Sequence, residues 1–193
     1  MKIRAYTPAD EKSWLQCRVL AFLETAYFDN VLQEKETYEN PSIELVAEAD
    51  GNIAGLIDIE YEVEERTVCS RGSDLGGMIW HIAVHPDYSR QGIGQALLNE
   101  AEKIAKVRNL NRFEAWTRDD KWVQNWYVKM GFTMVDSYYH IYFEEDEIKS
   151  HFQTTTEQLF PATAFAHYTG ENPEQFAHTQ RKHQCVCYIK ELD

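Results

Sequence analysis

Residues 82–98 read Ile-Ala-Val-His-Pro-Asp-Tyr-Ser-Arg-Gln-Gly-Ile-Gly-Gln-Ala-Leu-Leu, a β-branched strand that passes through a proline-bearing turn into two glycines and then directly into an amphipathic helix. No other stretch of the chain restricts its folding as much. Glycines at a strand-to-helix junction let consecutive backbone N–H groups converge on an anion, and the positive end of the helix dipole adds to the attraction. The expected product is a phosphate or pyrophosphate cradle. It is made from the main chain of Arg90, Gln91, Gly92, Ile93, Gly94, Gln95 and Ala96, with the glycines clearing space where a Cβ would stand. The spacing matches neither the dinucleotide-binding nor the Walker pattern. Taken alone, a Gly-x-Gly is as well explained by a tight strand-to-helix turn.

A second segment changes that balance. Downstream lies Asn125-Trp126-Tyr127-Val128-Lys129-Met130-Gly131-Phe132, and the two stretches in this order resemble the GNAT superfamily of acyl-CoA-dependent N-acetyltransferases. The resemblance covers about residues 1–143 and the last strand. It implies an α/β, GNAT-like acyl-CoA N-acyltransferase fold: a mixed central sheet with a splayed strand pair, flanked by helices. It also implies acetyl-CoA as cosubstrate and a small-molecule or peptide amine as acceptor, with a homodimer among the expected assemblies. Residues 1–193 then form a single domain. Where the family has a short hairpin between its last two strands, residues 144–183 make a long acidic excursion, which is expected to be partly helical near 144–153 and 173–183 and to shape the acceptor pocket or a dimer contact.

Carried over residue by residue, the resemblance gives Tyr127 the place of the family tyrosine near the cofactor sulfur, as general acid. A phenol with a reference pKa of about 10 is protonated at neutral pH; packing of the short helix is the plainer account of the same ring. The main chain of Ile82, Ala83 and Val84 would pair with the amide arm of the cofactor, and Arg90 would add a charge-assisted bond to phosphate. Two positions depart from the family. Ser89 replaces the Arg or Gln that opens the loop motif, and Asp120 stands where many relatives carry an Asn that contacts the cofactor arm. The strand Gly77-Met78-Ile79-Trp80 lacks the carboxylate some relatives use as base. His81 is the nearest titratable group and the candidate base, with Glu60 and Glu114 in reserve and base-free attack by a neutral amine left open.

The remaining features exclude more than they assign. A net charge of −13 disfavours nucleic acid as partner and suits a cationic amine. No stretch has the eighteen or so apolar residues of a membrane helix and no signal-peptide pattern opens the chain, so a cytoplasmic protein without membrane contact is expected. His178, His183, Cys185 and Cys187 lack zinc spacing, and no metal site is expected. Periodicity and breakers predict strands at 2–6, 43–49, 52–63, 77–84, 112–117, 132–143 and 184–192. They predict helices after Thr7-Pro8, around 26–35, from the glycines to about 108, and at 119–129. The rival to an enzyme is a noncatalytic acyl-CoA-binding module of the same fold. A nucleotide-binding regulator is a third reading, which lacks a full fingerprint.

Overall fold

The β-branched stretches on either side of Asp50-Gly51 fold as a hairpin of β2 (Ser42–Ala49) and β3 (Asn52–Tyr61). Asp50 and Gly51 both take the left-handed backbone, φ 52° and 78°, that such a tight turn needs. The computed structural model describes residues 1–144 and 146–192. Around that hairpin stand β1 (Lys2–Ala5), β4 (Gly76–Val84), β5 (Arg112–Thr117), β6 (Thr133–Glu144), β7 (Thr163–Tyr168) and β8 (Arg181–Glu191). They form one mixed sheet in the order β1-β2-β3-β4-β5-β8-β6-β7.

Two helical layers cover the sheet. On one face α1 (Glu11–Phe22) buries Trp14 and Cys17 against Val46, Leu56 and Ala83. On the other, α2 (Ile93–Val107) turns Leu97, Leu98, Ala101 and Ala105 onto Leu45, Ile57, Ile59 and Phe113, joined by Tyr127 of α3 (Lys121–Lys129). The helical period of the apolar residues in α2 is what places them on one stripe. Gly55 lets this helix sit close, since a Cβ there would lie 2.8 Å from Ile93 Cγ2 and 3.1 Å from Leu97 Cδ1.

The parallel pair β4 and β5 keeps register only from Gly76–Arg112 to Ile79–Ala115. At that point Trp80 bulges out of the ladder with β3, because Ile59 faces Ile79 while Asp58 already faces His81. A bulge adds twist and redirects the strand. From Trp80 to Val84, β4 therefore pairs with β3 alone and diverges from β5. This is the splayed pair expected from the resemblance.

Two predicted helices are absent as such. Residues 26–35 form turns and extended chain, because this stretch is pinned by distant charged groups. Asp120 accepts the Ala26 amide (3.0 Å), Arg118 donates to the Ala26 carbonyl, Arg181 pairs with Asp29 (2.5 Å) and Arg18 donates to the Asn30 carbonyl (2.8 Å). In the excursion, the first predicted helix shortens to α4 (Asp146–His151) and the second to a 3-10 turn at Pro173–Phe176. Its main content is a strand instead. β7 pairs with β6 along Tyr139–Glu144 and extends the sheet, with Ile141, Phe143 and Ile148 forming a small core of their own.

The opposite side of that extension holds His140, stacked on His167 at 4.8 Å and receiving an N–H from Arg118 at its Nδ1 (3.1 Å). Its Nε2 lies 3.0 Å from the Tyr138 hydroxyl. Burial, then the charge of Arg118, then His167 and His183 lower its pKa from 6.5 to about 4, against a small opposing pull from Asp119. The unfolded chain thus binds more protons than the folded one between these values, so stability is intact above the window and falls as pH drops through it. Up to about 3 kcal/mol is at stake. His140→Gln is expected to flatten the dependence of melting temperature on pH between 6.5 and about 4; an unchanged acid limb would assign that limb to other groups.

Candidate active site

The turn after β4 spends its own donors early. Tyr88 and Ser89 donate to the carbonyls of His85 and Pro86 (2.9 and 3.1 Å), and the Asp87 amide donates to His85 Nδ1 (3.2 Å). The next internal bond runs from the Ala96 amide to the Gly92 carbonyl (3.0 Å) and starts α2. Between them, the six amides of Arg90, Gln91, Gly92, Ile93, Gly94 and Gln95 have no acceptor among the described residues. Ala96, expected in the cradle, is removed from it, because its N–H closes the first turn of the helix.

Arg90 and Gly92 both lie in the left-handed region, φ 59° and 80°. Such alternation curls successive N–H groups toward a common centre. A Cβ on Gly92 would meet nothing within 4 Å, so the space in front of it is open. Gly94 faces Trp126 and Val84, which lie 3.4 and 3.6 Å from where a Cβ would be, ordinary contact distances that leave no open space there. The main chain of Ile82, Ala83 and Val84 leads into this cradle along the edge that β5 has left.

From the α2 face, α3 brings Tyr127. Its ring is buried, stacked on Tyr188 at 5.4 Å and edge-on to Phe132 and Trp126. The ring packs the helix on the sheet, yet the hydroxyl bonds to none of the described residues and is not among the fully enclosed polar atoms. Burial raises its pKa, so the proton stays on oxygen throughout the neutral range. Lys129 ends the helix, and Gly131 supplies the left-handed residue after it, φ 86°. Asp120, expected beside the cofactor arm, occupies the N-cap position of α3, but both its carboxylate oxygens take the Ala26 amide. It fastens the loop that carries Ala26.

On the α1 face, His81 is almost wholly buried, edge-on to Trp14. Arg18 Nε lies 3.2 Å from its Nδ1 and Glu36 Oε2 lies 2.6 Å from its Nε2. An arginine can only donate, so Nδ1 is the acceptor and the ring proton sits on Nε2, facing the carboxylate. His81 is therefore engaged at both nitrogens, by Arg18 and by Glu36, and the ring has no free lone pair for a substrate proton. The hydrogen bond from His81 also holds Glu36 below the ordinary carboxylate range, burial opposing it.

The reserve bases are committed as well. Glu114 accepts Ser70 Oγ (2.7 Å), the Ser70 and Arg71 amides and Trp116 Nε1 (2.7 Å), tying down the loop 64–74. Glu60 accepts the Asn40 amide (2.9 Å), Asn40 Nδ2 (3.0 Å) and Trp80 Nε1 (2.9 Å). Burial pushes its pKa up, and these donors more than offset that. Glu36, Tyr38, Glu39, Asn40, Glu60 and Trp80 line a cleft of ≈ 410 Å³ at the point where β4 leaves β5. Sequence reasoning missed Glu36 because it lies in a polar stretch with no motif; only the long-range contact to His81 marks it. The four cysteines are free thiols, and no group of three metal-ligating side chains occurs among the described residues.

A family model described as "Acetyltransferase (GNAT) family" matches residues 5–132. An acetyltransferase of Sodalis glossinidius is 30% identical over 105 residues, spanning 54% of this chain and 66% of the relative's own length. Among solved structures, a ribosomal-protein-alanine N-acetyltransferase from Brucella melitensis superposes with a TM-score of 0.62 at 15% identity, covering 100% of both chains. The PaiA N-acetyltransferase of Thermoplasma acidophilum, solved with coenzyme A, gives 0.53 at 18% identity over 70% of this chain and 91% of that one. At these identities the structural likeness speaks for the fold alone.

Proposed function

The chain belongs to the acetyltransferase (GNAT) family, and from that premise we propose that it moves the acetyl group of acetyl-CoA directly to a primary amine. The observation that carries the reading is the run of six unpaired amides from Arg90 to Gln95, opening at the end of a strand that has lost its neighbour. Those donors and the α2 dipole suit the diphosphate, and the free edge of Ile82, Ala83 and Val84 suits the amide arm. Arg90 sits within the cradle and offers its guanidinium to a phosphate.

A thioester held in the gap between β4 and β5 is open to both faces of the sheet. Tyr127 belongs to one face and the cleft at Trp80 to the other. The neutral amine attacks the thioester carbon, the carbon–sulfur bond breaks, and the departing thiolate takes the phenolic proton of Tyr127. Tyr127 regains a proton from solvent, and the ammonium formed on the acceptor nitrogen releases one. No covalent enzyme intermediate is needed.

Ser89 in place of the Arg or Gln that opens the loop motif and the absence of a carboxylate on residues 77–80 favour one rival, a noncatalytic acyl-CoA-binding module. A thermal-shift series with acetyl-CoA, followed by thiol release across an amine library, separates the two. Stabilisation with amine-dependent thiol release is expected. Stabilisation without release on any amine would leave the binding module standing, and no stabilisation would remove both.

A further inference from the structure

The cleft beside β4 carries a chemistry of its own. Its wall contains Glu36, Glu39 and Glu60 and no Lys, Arg or His. Trp80, the bulged residue, is 48% exposed, and its indole is held in place by the bond to Glu60. Glu36 is also about half exposed; His81 occupies Oε2, while Oε1 accepts nothing from the described residues. Glu39 is exposed and its carboxylate has no partner there either. A fixed, half-uncovered aromatic face ringed by carboxylates is suited to an ammonium group.

That ammonium is not the reacting nitrogen. The nitrogen that attacks a thioester has to be neutral, and Glu36, held below the ordinary carboxylate range by its bond to His81, is a poor acceptor for that nitrogen's proton and stabilises the ammonium form instead. The charge matched by Glu36 and Glu39 therefore belongs to a second nitrogen of the same acceptor. Resting on the transfer reading above, we infer that the acceptor is a diamine or longer polyamine. One nitrogen stays protonated against Glu36, Glu39 and Trp80 while the other is acetylated. Arg18 engages His81, and His81 engages Glu36 Oε2.

The test uses the whole protein saturated with coenzyme A, which permits acceptor binding without turnover, and compares putrescine with n-butylamine by calorimetry. Putrescine is expected to bind at least about tenfold more tightly, the factor for one charge-assisted contact, and to lose more affinity as salt rises, since it carries two ammonium groups and n-butylamine one. Glu36→Gln keeps an oxygen for His81 Nε2–H and loses only the charge; it is expected to remove most of the difference between the two amines. Glu39→Gln is expected to reduce it as well, and acetyl-CoA binding reports whether each variant is folded. Equal affinities for the two amines, or a preference that survives both substitutions, would overturn the inference even if acetylation of n-butylamine upholds the transfer reading. The reverse pattern, selective putrescine binding with neither amine acetylated, would uphold the cation site and defeat the transfer.

Discussion

Replacing Gly92 with valine is expected to weaken acetyl-CoA binding about a hundredfold or more, while lowering the melting temperature no more than the same change at Gly51 does. The backbone there has φ 80°, a region in which a β-branched residue is strongly disfavoured. The loop must leave its present shape, and at least two amides stop pointing at the anion. Each hydrogen bond to a charged acceptor contributes about 1.5–3 kcal/mol, so losing two gives the stated factor. The cost to stability is the backbone strain alone, about 1–3 kcal/mol, because a Cβ at Gly92 meets nothing within 4 Å. Gly51 is the control, since it has φ 78° and equally open surroundings but lies in the β2–β3 turn. Gly51→Val carries the same backbone strain and should not alter the calorimetric affinity. Equal affinities for all three proteins would remove the loop from the binding site.

Tyr127→Phe is expected to lower kcat by roughly a hundredfold or more, within the range found for a positioned general acid. The ring keeps its contacts with Tyr188, Phe132 and Trp126. The hydroxyl makes no bond within the described residues, so neither melting temperature nor acetyl-CoA affinity should move far. Because burial raises the phenol's pKa, its loss of a proton places no descending limb in the pH profile of kcat below about pH 10. A phenylalanine variant with parental kcat would make Tyr127 a packing residue and leave the departing thiolate unprotonated by the protein.

Much of this architecture is readable in the chain because it is local. The Asp50-Gly51 turn, the strand at 112–117 and the glycine-led helix are specified by neighbours within a few residues, and each appears where the pattern puts it. Residues 26–35 show the limit. The stretch reads as a less regular, aromatic-rich helix, but Ala26, Asp29 and Asn30 are held by partners at 120, 118, 181 and 18 that no window contains. β7 escaped for a related reason, since Thr163–Tyr168 is an edge strand whose pairing with β6 is a tertiary choice.

At the site, the unpaired amides fall on the residues the glycine pattern singles out except Ala96, which differs from Gln95 only in that its helical acceptor exists. His81 stands out by its type and its place on β4. What no sequence pattern carries is that Arg18 fixes its tautomer, which turns a candidate base into a donor to Glu36. Asp120 is a parallel case: it stands where many relatives in the resembled family carry an Asn on the cofactor arm, and here it accepts a loop amide 94 residues away.

The most direct measurement is an amide-resolved NMR titration with acetyl-CoA. The expected result is large, saturable shifts of the Arg90, Gln91, Gly92, Ile93, Gly94 and Gln95 N–H signals at one common affinity, with Ala96 moving little because its proton is already bonded. Saturation with acetyl-CoA that leaves those six signals in place would contradict the assignment of this loop as the diphosphate site.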